Sequence, residues 1–96
     1  MYLTIRKFSH VHSMVEAARR AETGLGQMTK ACPGFEGYYV FDCGDGTGGS
    51  VTLFQSREEA LAAHEMSLKW IQSSLAELIQ SEPEVTMGEI LVALRP

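Results

Sequence analysis

Apolar and polar residues recur along the chain with two different periods, and the switches between them divide it into six elements. Residues 2–9, YLTIRKFS, alternate loosely and read as a strand. Ser13 stands three residues before Glu16, the spacing of a capping box, and opens a helix with Met14, Ala18, Ala21, Leu25 and Met28 on one stripe. Gly24 and Gly26 weaken its second half by up to ~1 kcal/mol each, and Cys32-Pro33-Gly34 ends it. Residues 35–43, FEGYYVFDC, predict a second strand, 44–49, GDGTGG, a glycine loop, and 50–55, SVTLFQ, a third strand. Ser56 and Glu59 repeat the capping-box spacing. The helix they open runs to about Gln80, with Leu61, Leu68, Ile71, Leu75 and Leu78 on one stripe. Pro83 closes the connection, and 84–94, EVTMGEILVAL, reads as a last strand.

The order β-α-β-β-α-β is the ferredoxin-like pattern of α+β proteins, a four-stranded antiparallel sheet with two helices on one face. Residues 1–96 form a single domain in this reading. Alternation puts Phe35, Tyr39 and Phe41 on one side of the second strand and Tyr38 and Val40 on the other. The third strand offers Val51 and Leu53 against Phe54, and the last offers Met87 and Leu91 against Ile90, Val92 and Leu94. Helices cover one face only. The second is too apolar for a small monomer, so the pattern predicts a homodimer with facing sheets.

Composition narrows the class. Apolar residues make up 45% of the chain and charged residues 21%, the balance of a globular domain rather than a disordered one. Eight basic against twelve acidic residues leave a net charge of −4, with no electrostatic footprint for nucleic acid or an anionic membrane. The amino terminus lacks the basic lead and apolar run of a secretory signal. With only two cysteines, Cys32 and Cys43, the expectation is free thiols in a reducing cytoplasm.

Gly44, Gly46 and Gly49 satisfy G-x-G-x-x-G, but a strand follows where the dinucleotide site needs a helix, so the match is accidental. His10 and His12 lack a third ligand, and no metal site is expected. His64 falls near the middle of the apolar helical stripe and points at the sheet. It is either a neutral core histidine or a general base or ligand anchor in a pocket, with Tyr38, Tyr39 and Asp42 the available partners. Trp70, toward the other side of that helix, reads first as a packing residue. Arg6 and Lys7 point to opposite faces of the first strand. One of them meets an apolar surface, where Glu89 or Asp42 would pair with it or where it would anchor an anionic or phenolate ligand. Neither cysteine has a basic neighbour that would activate it.

The run PGFEGYYVFDCG, the glycine hairpin, SVTLFQSREEALAAHEMSLKWI and EVTMGEILVAL together resemble the dimeric α+β-barrel superfamily. Within it, the chain is most similar to small antibiotic-biosynthesis-monooxygenase-like domains, many of them uncharacterised bacterial proteins. The likeness runs from Tyr2 to Leu94 and is strongest at Pro33-Gly34-Phe35 and at Ser56-Arg57-Glu58-Glu59-Ala60 with His64. It implies a homodimer with a small pocket in each protomer between sheet and helices. It also implies a choice of activities: cofactor-independent monooxygenases of phenols, whose own phenolate activates oxygen, haem-degrading monooxygenases, isomerases, dehydratases, or ligand-sensing domains. The haem-degrading branch has an asparagine on its first strand and a tryptophan ahead of its histidine. This chain has no asparagine, and Trp70 follows His64, which argues against that activity. Two readings follow. One is a cofactor-independent monooxygenase for a small phenol or quinol, with His64 orienting or deprotonating the hydroxyl and Tyr39, Asp42, Arg6 and Trp70 completing the pocket. The other is a non-catalytic dimeric binding or accessory protein that uses the same pocket.

Overall fold

A computed structural model describes all 96 residues, in the order β1 (Tyr2–Phe8), α1 (Met14–Thr23), α2 (Leu25–Lys30), β2 (Phe35–Gly44), β3 (Thr47–Phe54), α3 (Arg57–Ser74) and β4 (Glu84–Glu89). The four strands form one antiparallel sheet in the order β2-β3-β1-β4, the α+β ferredoxin-like topology. The helices lie on one face, α1 and α2 over β2, and α3 over β1 and β3. Both capping boxes form: the Ser13 hydroxyl accepts the Glu16 N–H at 3.1 Å and the Ser56 hydroxyl accepts the Glu59 N–H at 3.3 Å.

Several boundaries differ from the sequence expectation, each for a local reason. The first helix breaks at Gly24, where a Cβ would stand 2.5 Å from the Trp70 indole. Glycine allows both the break and the close approach of the ring. The expected six-residue loop shrinks to Asp45-Gly46, whose φ angles of 53° and 74° are those of a type I′ hairpin turn, so the flanking glycines join the strands. An irregularity in pairing between Phe35 and Gly37 turns Phe35 to the helical face. There it meets Phe54 edge-on, with ring centroids 6.0 Å apart.

The stripe that α3 buries is Ala60, Ala63, Ser67 and Ile71, while Leu61 is exposed. Small residues suffice there because Phe54 and Arg6 rise from the sheet to fill the space. The helix stops at Ser74, and Leu75, Leu78 and Ile79 reach the core from the irregular segment that follows. The last strand stops at Glu89 because β1, its only neighbour, ends opposite it at Tyr2. Leu91, Val92 and Leu94 beyond it are exposed. The interior consists of two apolar clusters, a larger one around Phe8, Leu25, Ile71 and Leu75 and a smaller one of Phe54, Ala60 and Ala63.

The Gly24 contact is testable. Gly24→Ala pushes the Trp70 ring from its seat and destabilises the fold by about 1–3 kcal/mol in urea unfolding; an unchanged midpoint would show that the ring has room to move.

Candidate functional site

Between the two apolar clusters runs a polar layer centred on Arg6. The side chain leaves the middle of β1 toward the helices and is completely buried, at 0% exposure. Its Nε donates to His64 Nδ1 at 2.9 Å, and its Nη1 donates to Ser50 Oγ at 3.3 Å and Thr52 Oγ1 at 3.5 Å. Arg6 Nη2 and the Thr4 hydroxyl, both buried, have no partner. The strand register explains the grouping: Ser50 stands opposite Arg6, and Thr52 stands between Thr4 and Tyr38.

No carboxylate reaches the guanidinium. The two acids expected from the sequence are engaged elsewhere, Glu89 with the N-terminal ammonium at 3.5 Å and Asp42 with the Gly44 N–H at 2.9 Å. Lys7 faces the opposite side and is exposed. Burial brings the Arg6 pKa down to about 10, with Tyr38 acting weakly the other way, so the group remains a cation at neutral pH. Burying an ion without a counter-ion costs several kcal/mol even after relaxation. Three hydroxyl and imidazole acceptors offset only part of that.

This arrangement dictates the state of His64. Arginine has no acceptor, so the imidazole nitrogen facing it must carry a lone pair. The neutral ring then holds its proton on Nε2, which meets no protein acceptor. Burial lowers the His64 pKa, the Arg6 charge lowers it further, and the neighbouring Glu65 opposes both. With Nδ1 occupied and Nε2 protonated, the ring offers a proton rather than taking one. His64 sits at the margin of the buried stripe, not in its middle, and is partly exposed.

The other expected residues divide. Trp70 packs on the larger cluster and lines a cavity between sheet and helices, together with Tyr38, Val40, Ser50, Leu25 and Ile71. The cavity is small, about 30 Å³, and 11 of its 13 lining residues are hydrophobic. Tyr38 and Ser50 connect it to the Arg6 layer. Tyr39 does not converge with His64: it is 61% exposed on the far face, because the alternation of β2 sends Tyr38 inward and its neighbour outward. Asp42 is exposed near the hairpin and stays out of the cluster as well. Tyr38 takes the inward place, and burial pushes its hydroxyl pKa up while Arg6 pulls it down. Sequence reasoning missed Thr4, Ser50 and Thr52; their signal is parity with Arg6 once the strands are paired. No three His, Cys, Asp or Glu side chains gather as a metal site, and Cys32 and Cys43 are both free thiols.

No family model and no curated protein matches the chain by sequence. Solved structures share its fold. A protein of unknown function from Nitrosomonas europaea matches at 17% identity and a TM-score of 0.78, over 99% of this chain and 93% of that one. A monooxygenase from Streptomyces coelicolor, in complex with nanaomycin D, matches at 14% identity and a TM-score of 0.75, over 99% and 91%. SnoaB, a cofactor-independent oxygenase from Streptomyces nogalater, matches at 12% identity and a TM-score of 0.75, over 99% and 97%. The chain therefore shares the fold of these three structures, the ferredoxin-like α+β fold that the sequence resemblance implies.

Arg6→Met, which keeps the apolar stem and removes the charge, holds or raises stability by about 1–3 kcal/mol in urea unfolding; a large loss would make Arg6 a structural residue. The lowered pKa of His64 means that the unfolded chain binds a proton that the folded chain refuses. Stability is therefore full above the ordinary histidine value of 6.5 and declines as pH falls below it toward the depressed folded pKa. His64→Gln flattens that limb of the stability–pH curve; the same slope in the variant would assign it to other groups.

Proposed function

We propose that the chain is a cofactor-independent monooxygenase of small phenols or quinols that works as a homodimer in the cytoplasm. The observation that carries the activity is the buried Arg6 cation, without a counter-ion, beside a cavity walled by Tyr38, Ser50 and Trp70. Such a cation stabilises a phenolate, and a phenolate gives an electron to oxygen far more readily than a phenol does. In the overall reaction a phenol and dioxygen become a quinone and water: one oxygen atom enters the ring as a carbonyl and the other leaves with two hydrogens. His64 orients the substrate hydroxyl, and Trp70 closes the cavity. The oxygenases among the structural neighbours support this reading at the level of fold.

The far face of the sheet supports the dimer. Leu3, Ile5, Tyr39, Phe41, Val51 and Leu53 lie together there with no helix above them. The two free thiols fit a reducing compartment. One observation favours the alternative of a non-catalytic binding or accessory protein: a cavity of about 30 Å³ is well below the volume of an ordinary ligand pocket.

Oxygen uptake with a panel of one- and two-ring phenols separates the two. Turnover that disappears in His64→Ala, in a variant that sediments as a folded dimer, supports the oxygenase; ligand recovered unaltered from every incubation supports the accessory protein. Ile5→Asp combined with Leu53→Asp converts the dimer to a monomer in sedimentation velocity, and a wild-type monomer would refute the facing sheets.

A further inference from the structure

We infer that the Arg6 layer takes its ligand as an already ionised hydroxyl, with Arg6 as the counter-ion and His64 as the residue that holds the guanidinium in place, not the base that removes the proton. The inference rests on the pocket proposed above and narrows its ligands to phenols and enols that ionise readily. Their proton goes to bulk water as the anion binds.

Three observations converge on it. Arg6 is fully buried, and one of its two terminal nitrogens, Nη2, lacks a partner, as does the Thr4 hydroxyl on the same face of the strand. Unpaired buried donors are rare in folded proteins, and this one belongs to a charged group. The groups facing it from every packed element are neutral: Tyr38 from β2, Ser50 and Thr52 from β3, and His64 from α3, where the adjacent Glu65 is exposed. The cluster therefore holds one uncompensated positive charge and lacks one anion. Finally, the lone pair with which His64 could act as a base is used by Arg6 Nε at 2.9 Å. A bond from the imidazole fixes the rotation of the guanidinium about its own axis, which fixes the direction of Nη2. Ser50 lines the cavity and also accepts from Arg6 Nη1, so a single side chain stands between the cavity and the charge.

The probe is 4-nitrophenol, whose ionised form absorbs at longer wavelength than the neutral one. Titrated with the wild-type protein below its solution pKa, it gains the phenolate band as it binds. Arg6→Met weakens that binding about 10- to 100-fold, the loss of one charged hydrogen bond, while nitrobenzene, which cannot ionise, binds both proteins alike. His64→Gln, whose amide oxygen accepts from Arg6 Nε but cannot serve as a base, keeps the phenolate band, and His64→Leu loses it. Circular dichroism confirms that each variant is folded. Probe bound in its neutral form, no binding, equal binding by Arg6→Met, or loss of the band in His64→Gln would overturn the inference. The oxygenase reading fails separately: phenolate bound without oxygen uptake sinks that reading and keeps this one, whereas oxygen uptake unchanged in Arg6→Met does the reverse.

Discussion

A guanidinium sealed from water must be solvated by the protein, and much of the interior follows from that constraint. Arg6 takes positions on β3 that a sheet core would otherwise fill with aliphatic side chains and requires hydroxyls there, Ser50 and Thr52. It occupies volume beneath α3, which answers with alanines and a serine. It fixes which nitrogen of His64 carries the proton. The apolar core is consequently split in two, with a polar layer at the waist rather than one continuous oily centre. A core of this kind gives up stability that an all-aliphatic interior would keep, and residues retained at such a cost are typical of sites that do chemistry or bind ligands.

The sequence carried the architecture well because its signals there are local. Two serine-glutamate boxes place the helix starts, and alternation in four segments places the strands. Where it failed, a contact distant in sequence decided the outcome. Nothing near Gly24 announces that Trp70 lies against it, and nothing near Glu89 announces that β1 ends opposite. The hairpin is an exception: Asp45-Gly46 is a signature of the two-residue turn, and the glycines around it masked that signal.

The site was legible in part. Arg6, His64 and Trp70 could be singled out as residues at odds with their patterns. Choosing between Tyr38 and Tyr39 required the register of β2 against β3, because a shift of one residue exchanges the faces. The expectation that a carboxylate would neutralise Arg6 rested on charge balance alone, and the fold sends both candidate acids elsewhere. Nor could the fold supply the missing part, since the same topology serves oxygenases and proteins of unknown function alike.

The placement of Arg6 on β1 has a dynamic side. This strand is hydrogen-bonded along both edges, to β3 and to β4, and lies beneath α3. Its amides belong to the part of the molecule that exchanges hydrogen last, whereas the turn at Asp45-Gly46, the junction at Gly24 and the residues after Glu89 open at little expense. The charge is thus fixed to backbone that opens only with the sheet itself, so loosening of the turn, the Gly24 junction or the chain end leaves the guanidinium and its three acceptors in place.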